Sequence, residues 1–205
     1  MNDVILNWLE ANYIEVLGSV LGLVYIILSI RQNILTWPVG LITSALYVYV
    51  FFVSKFYADM ALQVYYVLVS IYGWYFWLKG NPDRKAHLPV SFTPRKLWIP
   101  LALASLMFFL IIVFVLKNYT DSPIPNGDAL TTALSLVATW MLARKYLEHW
   151  LIWIFVDFLS AVLYALKGLW PTVILFVVYT IMAAWGYVSW RKNLLKTNQT
   201  GLSYN

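Results

Sequence analysis

Residues 31–77 read RQNILTWPVGLITSALYVYVFFVSKFYADMALQVYYVLVSIYGWYFW, and residues 144–190 read RKYLEHWLIWIFVDFLSAVLYALKGLWPTVILFVVYTIMAAWGYVSW. At an offset of 113 positions the two stretches align without a gap. Arg31 falls on Arg144, Trp37 on Trp150, Tyr66 on Tyr179, Gly73 on Gly186 and Trp77 on Trp190. These are loop-end cations, tryptophans and glycines, which a general excess of Leu and Val does not align. Similarity at a fixed period marks a duplicated unit. Each stretch also contains two apolar runs of about 20 residues, the length that crosses a bilayer as a helix. The expected fold is a duplicated set of membrane helices.

Outward from these stretches, seven such runs are legible: 13–30, 36–54, 57–78, 97–116, 128–143, 149–167 and 170–190. The expected fold class is an all-α membrane protein of seven transmembrane helices. Residues 13–78 and 128–190 form two three-helix repeats, and 97–116 forms a linker helix, all within one transmembrane domain, 1–205. Four crossings separate the first helix from the fifth, so both units enter from the same side. That is a parallel 3+1+3 repeat, a SWEET-like arrangement, in which the substrate site is expected between the halves near the midplane. The loop Lys117–Gly127, with Asp121, Pro123, Pro125 and Asn126, is expected to be irregular, and the tail after Trp190 to fray.

Composition agrees. Of 205 residues, 62% are hydrophobic and 11% charged, against roughly 45–50% and 25% in soluble proteins. A chain this short cannot hide so much apolar surface in a water-soluble core. Disorder, nucleic-acid binding and a disulfide-stapled secreted module are excluded, and with no cysteine there are no thiolate sites. Met1 to Leu17 carries Asp3, Glu10 and Glu15 but no Lys or Arg, unlike the basic start of a secretory signal.

The net charge of +5 has an explanation in topology. Arg31, Lys79, Arg84, Lys85, Arg95, Lys96, Arg144, Lys145, Arg191, Lys192 and Lys196 share one side, whereas Lys55, Lys117 and Lys167 occupy the other. The positive-inside rule then places the C-terminus in the cytoplasm and the N-terminus outside. The charge implies orientation in a bilayer, not a nucleic-acid partner.

The chemistry concentrates in the sixth run, where Trp150, Trp153 and Asp157 stand at i, i+3 and i+7 and share one helical face. An ionised carboxylate near mid-bilayer costs at least about 2.5–3.5 kcal/mol, so Asp157 faces a cavity or a partner. The alternative is a structural interhelical hydrogen bond. Trp150, near the cytoplasmic end, also suits an interfacial anchor, whereas Trp153 lies a turn deeper. Two indoles and a carboxylate on one face fit a flat cationic heteroaromatic, stacked on the rings and paired with the charge.

The fifth run carries a polar stripe, Asp128, Thr131, Thr132, Ser135 and Thr139, which suits either helix–helix contact or a hydrated path. Gln63, Tyr66 and Ser70 share a face of the third run, and Thr43 and Ser44 lie in the second, Ser44 at the repeat position of Asp157. Gly18 and Gly22 suit close helix contact. His87 in a loop and His149 at a helix end make no ligand spacing, so no metal is expected. Neither a phosphate-cradling loop nor a nucleophile elbow is present, so neither an ATP-driven pump, an enzyme nor a cofactor is expected.

Three stretches carry a resemblance: Tyr57-Ala58 through Leu62-Gln63-Val64; Ile71-Tyr72-Gly73-Trp74-Tyr75-x-Trp77; and Arg144-Lys145-Tyr146-x-Glu148-x-Trp150-Leu151-x-Trp153. Together they resemble the PnuC family of bacterial vitamin transporters, over about Val16 to Trp190. The resemblance implies a 3+1+3 fold in the bacterial inner membrane and uptake of nicotinamide riboside by facilitated diffusion. Intracellular phosphorylation would trap the product. It also implies trimers, and places Trp150, Trp153 and Gln63 around the substrate. Where some nicotinamide riboside carriers have Asn, this chain has Thr43, Ser70 and Asp157. The related PnuT branch carries thiamine, also a cationic heteroaromatic, and is the alternative. A non-transporting scaffold or sensor subunit is the competing class, disfavoured by loops no longer than about 18 residues.

Overall fold

A computed structural model describes residues 17–18, 20–53, 55, 57–79 and 88–202. Asp3, Glu10, Glu15 and His87 lie outside the described residues. Among those described, the fold is helical: α1 (Val20–Ile30), α2 (Thr36–Val53), α3 (Tyr57–Lys79), α4 (Arg95–Tyr119), α5 (Pro125–Ala143), α6 (His149–Leu166) and α7 (Trp170–Leu202). By length and composition, Thr36–Val53, Arg95–Tyr119, His149–Leu166 and Trp170–Lys196 suffice to cross a membrane. The chains of α3 and α5 are long enough but more polar, carrying Asp59 and Gln63, and the Thr/Ser stripe.

Two of the expected boundaries are corrected. Helix α5 begins at Pro125, inside the stretch expected to be irregular, because a proline at N1 lacks only an N–H that a helix start leaves unpaired anyway. The tail does not fray at Trp190: α7 continues to Leu202, and Leu194, one turn beyond Trp190, is buried.

The chain divides into two compact units, Met1–Ser70 and Ile71–Asn205, the division falling inside α3. In the first unit, α1, α2 and α3 meet at Gly40, where a Cβ would stand 3.0 Å from the Tyr25 ring and 3.2 Å from Ser70 Oγ. Gly18 gives way to Tyr47, whose hydroxyl occupies the space a Cβ would need, the close contact expected of that glycine. The chain reverses into α2 through Gln32, at φ 53, and Asn33 Oδ1 accepts the Leu35 N–H.

In the second unit, Leu97, Leu101, Ala104 and Phe108 of α4 pack on Val137, Met141 and Tyr146. The opposite face of α4, including Ile99, Leu103, Leu110 and Phe114, is exposed and apolar, as a lipid-facing surface must be. Helix α5 is buried along its length, with Ala129, Ala133, Ala138 and Ala143 letting its neighbours approach. Helix α7 joins α6 through the stacked rings of Tyr164 and Phe176, 5.2 Å apart.

Local geometry recurs at the sequence offset of 113. Thr36 and His149 open helices of 18 residues, and Tyr57 and Trp170 open the helices that follow. Left-handed backbone occurs at Gln32 and Lys55, and again at Lys145 and Gly168. The bonds Gln32 N–H to Ser29 O and Asn33 N–H to Leu28 O have counterparts in Lys145 to Leu142 and Tyr146 to Met141.

Candidate functional site

The corner between α5 and α6, residues 144–148, sets where α6 begins and so where its aromatic face lies. Lys145 takes the left-handed conformation at φ 54, which costs a non-glycine residue about 1–3 kcal/mol unless its surroundings hold it. They do so from two directions. The end of α3 supplies rings: Lys145 Nζ sits 4.2 Å from the Trp77 centroid, and the Arg144 guanidinium 4.2 Å from that of Phe76. Arg144 also donates to the Tyr72 hydroxyl at 3.1 Å. Burial pushes the Lys145 ammonium down to about 8.

The segment before α4 supplies backbone. Ser91 N–H donates to the Lys145 carbonyl at 3.1 Å, and the Leu147 N–H donates to the Ser91 carbonyl at 2.9 Å. Glu148 Oε2 accepts two hydrogen bonds from Thr93, from its N–H at 2.8 Å and its hydroxyl at 2.6 Å.

From this fixed corner α6 projects His149 and Trp150 inward. His149 is wholly buried, and its Nδ1 lies 2.6 Å from the Tyr146 carbonyl. A carbonyl only accepts, so Nδ1 carries the proton and Nε2 presents a lone pair, with no partner among the described residues. Trp150 is 3% exposed, its ring 4.5 Å from His149 and 5.7 Å, edge-to-face, from Trp190. A Cβ at Gly186 would come within 2.7 Å of three atoms of that indole, so the glycine is the seat of the ring. Burial at this depth corrects the interfacial-anchor reading of Trp150, because an anchor keeps its N–H toward the headgroups. The Trp150 Nε1–H likewise has no partner among the described residues.

Farther along α6, Trp153 is half-buried and Asp157 is 5% exposed. Leu151, Phe155, Phe158, Val162 and Leu166 form the exposed stripe. Asp157 lies with Trp150, Ser160 and Ala161 on the buried side, as the helical spacing predicts. Among the described residues nothing donates a hydrogen bond to its carboxylate or pairs with it.

Three hydroxyls of the α5 stripe are satisfied within their own helix. Thr131 donates to the Gly127 and Asp128 carbonyls, Ser135 to Thr131 O at 2.8 Å and Thr139 to Ser135 O at 2.7 Å. Asp128 leaves the stripe: it pairs with Lys167 at 3.2 Å and accepts from the Ser122 hydroxyl at 2.7 Å, tying the far ends of α5 and α6. Sequence reading missed this pair, and also the roles of Glu148 and His149. For Glu148 the one available signal was a lone acid beside a cationic corner.

In the first unit, Thr43 donates to Val39 O at 2.8 Å, Ser44 and Ser70 are buried, and Gln63 and Tyr66 are half-buried. Tyr66 meets Tyr65 edge-to-face at 5.7 Å. Among the described residues no cluster of metal-ligating side chains occurs.

With this geometry in hand, three comparisons bear on the family. The profile of the family described as nicotinamide mononucleotide transporter matches residues 12–192. The nicotinamide riboside transporter PnuC of Escherichia coli (strain K12) is 25% identical, the alignment covering 95% of this chain and 92% of that protein. The riboflavin/roseoflavin transporter RibM of Streptomyces davaonensis is 26% identical, over 90% of this chain and 92% of that one. A crystal structure of the vitamin B3 transporter PnuC matches with a TM-score of 0.71 at 24% identity, covering 95% of this chain and 87% of that one, a likeness of fold.

Proposed function

Because the chain belongs to the nicotinamide mononucleotide transporter (PnuC) family, we propose that it takes up a B-vitamin-type cationic heteroaromatic, nicotinamide riboside foremost. It is a multi-pass membrane transporter, as its relatives are, and not an enzyme. The observation that carries the choice of a cation is Asp157, a buried carboxylate on the inward face of α6, on the same helix as two indoles.

In this reading the substrate ring stacks on Trp153, Trp150 closes the end of the site nearest the corner, and Asp157 meets the positive charge. The assignment of Thr139 to the α5 side rests on its place in the sequence, its hydroxyl being engaged with Ser135 O. The assignment of Gln63, Thr43, Ser44, Tyr66 and Ser70 to the substrate rests on the sequence alone. Movement is by facilitated diffusion, with phosphorylation inside the cell retaining the product.

A parallel duplication of α1–α3 in α5–α7, with α4 as linker, is supported by the matched helix starts and left-handed corners. The basic residues of the loop 79–96 and the tail support a cytoplasmic C-terminus in the inner membrane. A trimer is proposed on the resemblance alone. Thiamine is the second reading, favoured by the same carboxylate. That RibM is named for riboflavin, a different heteroaromatic, makes the choice an experimental one.

The test is uptake of labelled nicotinamide riboside, thiamine and riboflavin by cells lacking their own carriers and expressing this chain. Nicotinamide riboside uptake that accumulates label only when a riboside kinase is present supports the reading. Riboflavin uptake alone refutes it.

A further inference from the structure

Among the described residues, no cationic side chain on α6 or at either end of it pairs with the Asp157 carboxylate. Near the start of α6, Arg144 and Lys145 lie against aromatic rings, and His149 gives its Nδ1 proton to a carbonyl. His149 stands 8 residues before Asp157, about 12 Å along the axis at a rise of about 1.5 Å per residue. At the other end Lys167, 10 residues on and about 15 Å away, is held by Asp128. Helices α5 and α7 flank α6, and the hydroxyls of Thr131, Ser135 and Thr139 on α5 are spent on their own backbone. Between Trp170 and Trp190 the only titratable side chains of α7 are tyrosines. Ser44, at the corresponding place in α2, is also buried but carries no charge. At this position of the repeat the second unit thus has a carboxylate and the first a hydroxyl.

Resting on the uptake reading above, we infer that Asp157 is a charge filter: the fixed positive charge of the substrate is its counter-ion, and a neutral ligand of the same shape is discriminated against. An ion inside a low-dielectric site interacts with a nearby opposite charge far more strongly than in water, whereas the face of Trp153 takes either ring and favours the cationic one only modestly. The indole thus supplies affinity for either ring, and the carboxylate supplies most of the selection by charge.

Nicotinamide riboside and its reduced dihydro form test this, because the same skeleton is cationic in one and neutral in the other. Titration calorimetry on the purified full chain should show the cation bound about tenfold or more tightly than the reduced form. Asp157→Asn should lower that ratio severalfold, by weakening the cation much more than the neutral form. Trp153→Ala should weaken both forms, the cation somewhat more, because the indole stacks with either ring and adds cation–π attraction for the charged one. An unchanged ratio in Asp157→Asn, with Trp153→Ala still weakening both, overturns the charge filter and leaves the uptake site standing. A chain that binds neither form fails the uptake reading, and the filter with it. Should the Asn variant not fold, Asp157→Ser supplies the residue found at position 44. Wild type binding both forms equally overturns the inference with no variant at all.

Discussion

Gly186→Ala adds one methyl group where α7 meets the Trp150 ring. The new Cβ stands 2.7 Å from three carbons of the Trp150 indole, about 0.8 Å inside the closest favourable carbon–carbon separation of roughly 3.5 Å. The ring has little room to yield, with His149 at 4.5 Å and Trp190 at 5.7 Å. Either α7 moves away from α6 or Trp150 leaves its rotamer. Overpacking of this kind costs about 1–3 kcal/mol, and the displaced indole should lower transport as well as melting temperature. A second glycine provides the control. Gly168, at φ +72, has nothing within 4 Å of a built Cβ, so Gly168→Ala costs backbone strain of about 1–2 kcal/mol without touching a ring. Thermal unfolding of both variants in detergent, alone and combined with Trp150→Leu, separates the two causes. Gly186→Ala should cost much less once the indole is gone, and Gly168→Ala should cost the same in either background. Additive losses for Gly186→Ala and Trp150→Leu would refute the interlock and the placement of Trp150 built on it.

Thr93→Ala removes the hydroxyl bond and leaves the backbone N–H of residue 93 on Glu148, whereas Glu148→Ala removes both; each should destabilise the protein by about 1–3 kcal/mol, and the double variant should lose no more than Glu148→Ala alone. Additive losses in melting curves would count against the clamp. Lys145 titrates near 8 in the fold and near 10.5 when unfolded, so the unfolded chain binds more protons between those values and stability rises with pH there. The rise is at most about 3 kcal/mol, is offset in part by the Trp77 ring, and should disappear in Lys145→Met; equal pH profiles for the two proteins would show that Lys145 is solvated. Single cysteines at Phe92 and Asn126, both exposed, test orientation with an impermeant thiol reagent. Labelling of 126 but not 92 in intact cells is expected, and the opposite pattern would reverse the topology.

The helices that carry the site were legible because their signals are local. Thr36 and His149 open α2 and α6 where the apolar runs begin, and the spacing of Trp150, Trp153 and Asp157 put them on one helix. Contacts between distant parts of the chain left no such trace. Thr93 and Glu148 are 55 positions apart, and neither is remarkable in isolation. The prolines of the loop 117–127 were read as breakers because sequence alone does not say which one occupies N1. Gly186 was visible only as half of a repeated pair; that it seats Trp150 depends on how α6 and α7 pack. The α5 stripe looked available for contacts because a threonine in sequence does not reveal whether its hydroxyl returns to its own helix.

The central claim is passive carriage of a cationic vitamin, and purified chain in proteoliposomes tests it most directly. With labelled nicotinamide riboside outside, internal free substrate should rise to the external concentration and stop there, whatever proton or sodium gradient is imposed. Thiamine should compete if the two cations share the site, and Trp153→Ala should slow entry. Accumulation above the external concentration under either gradient, or no entry at all, would contradict the account.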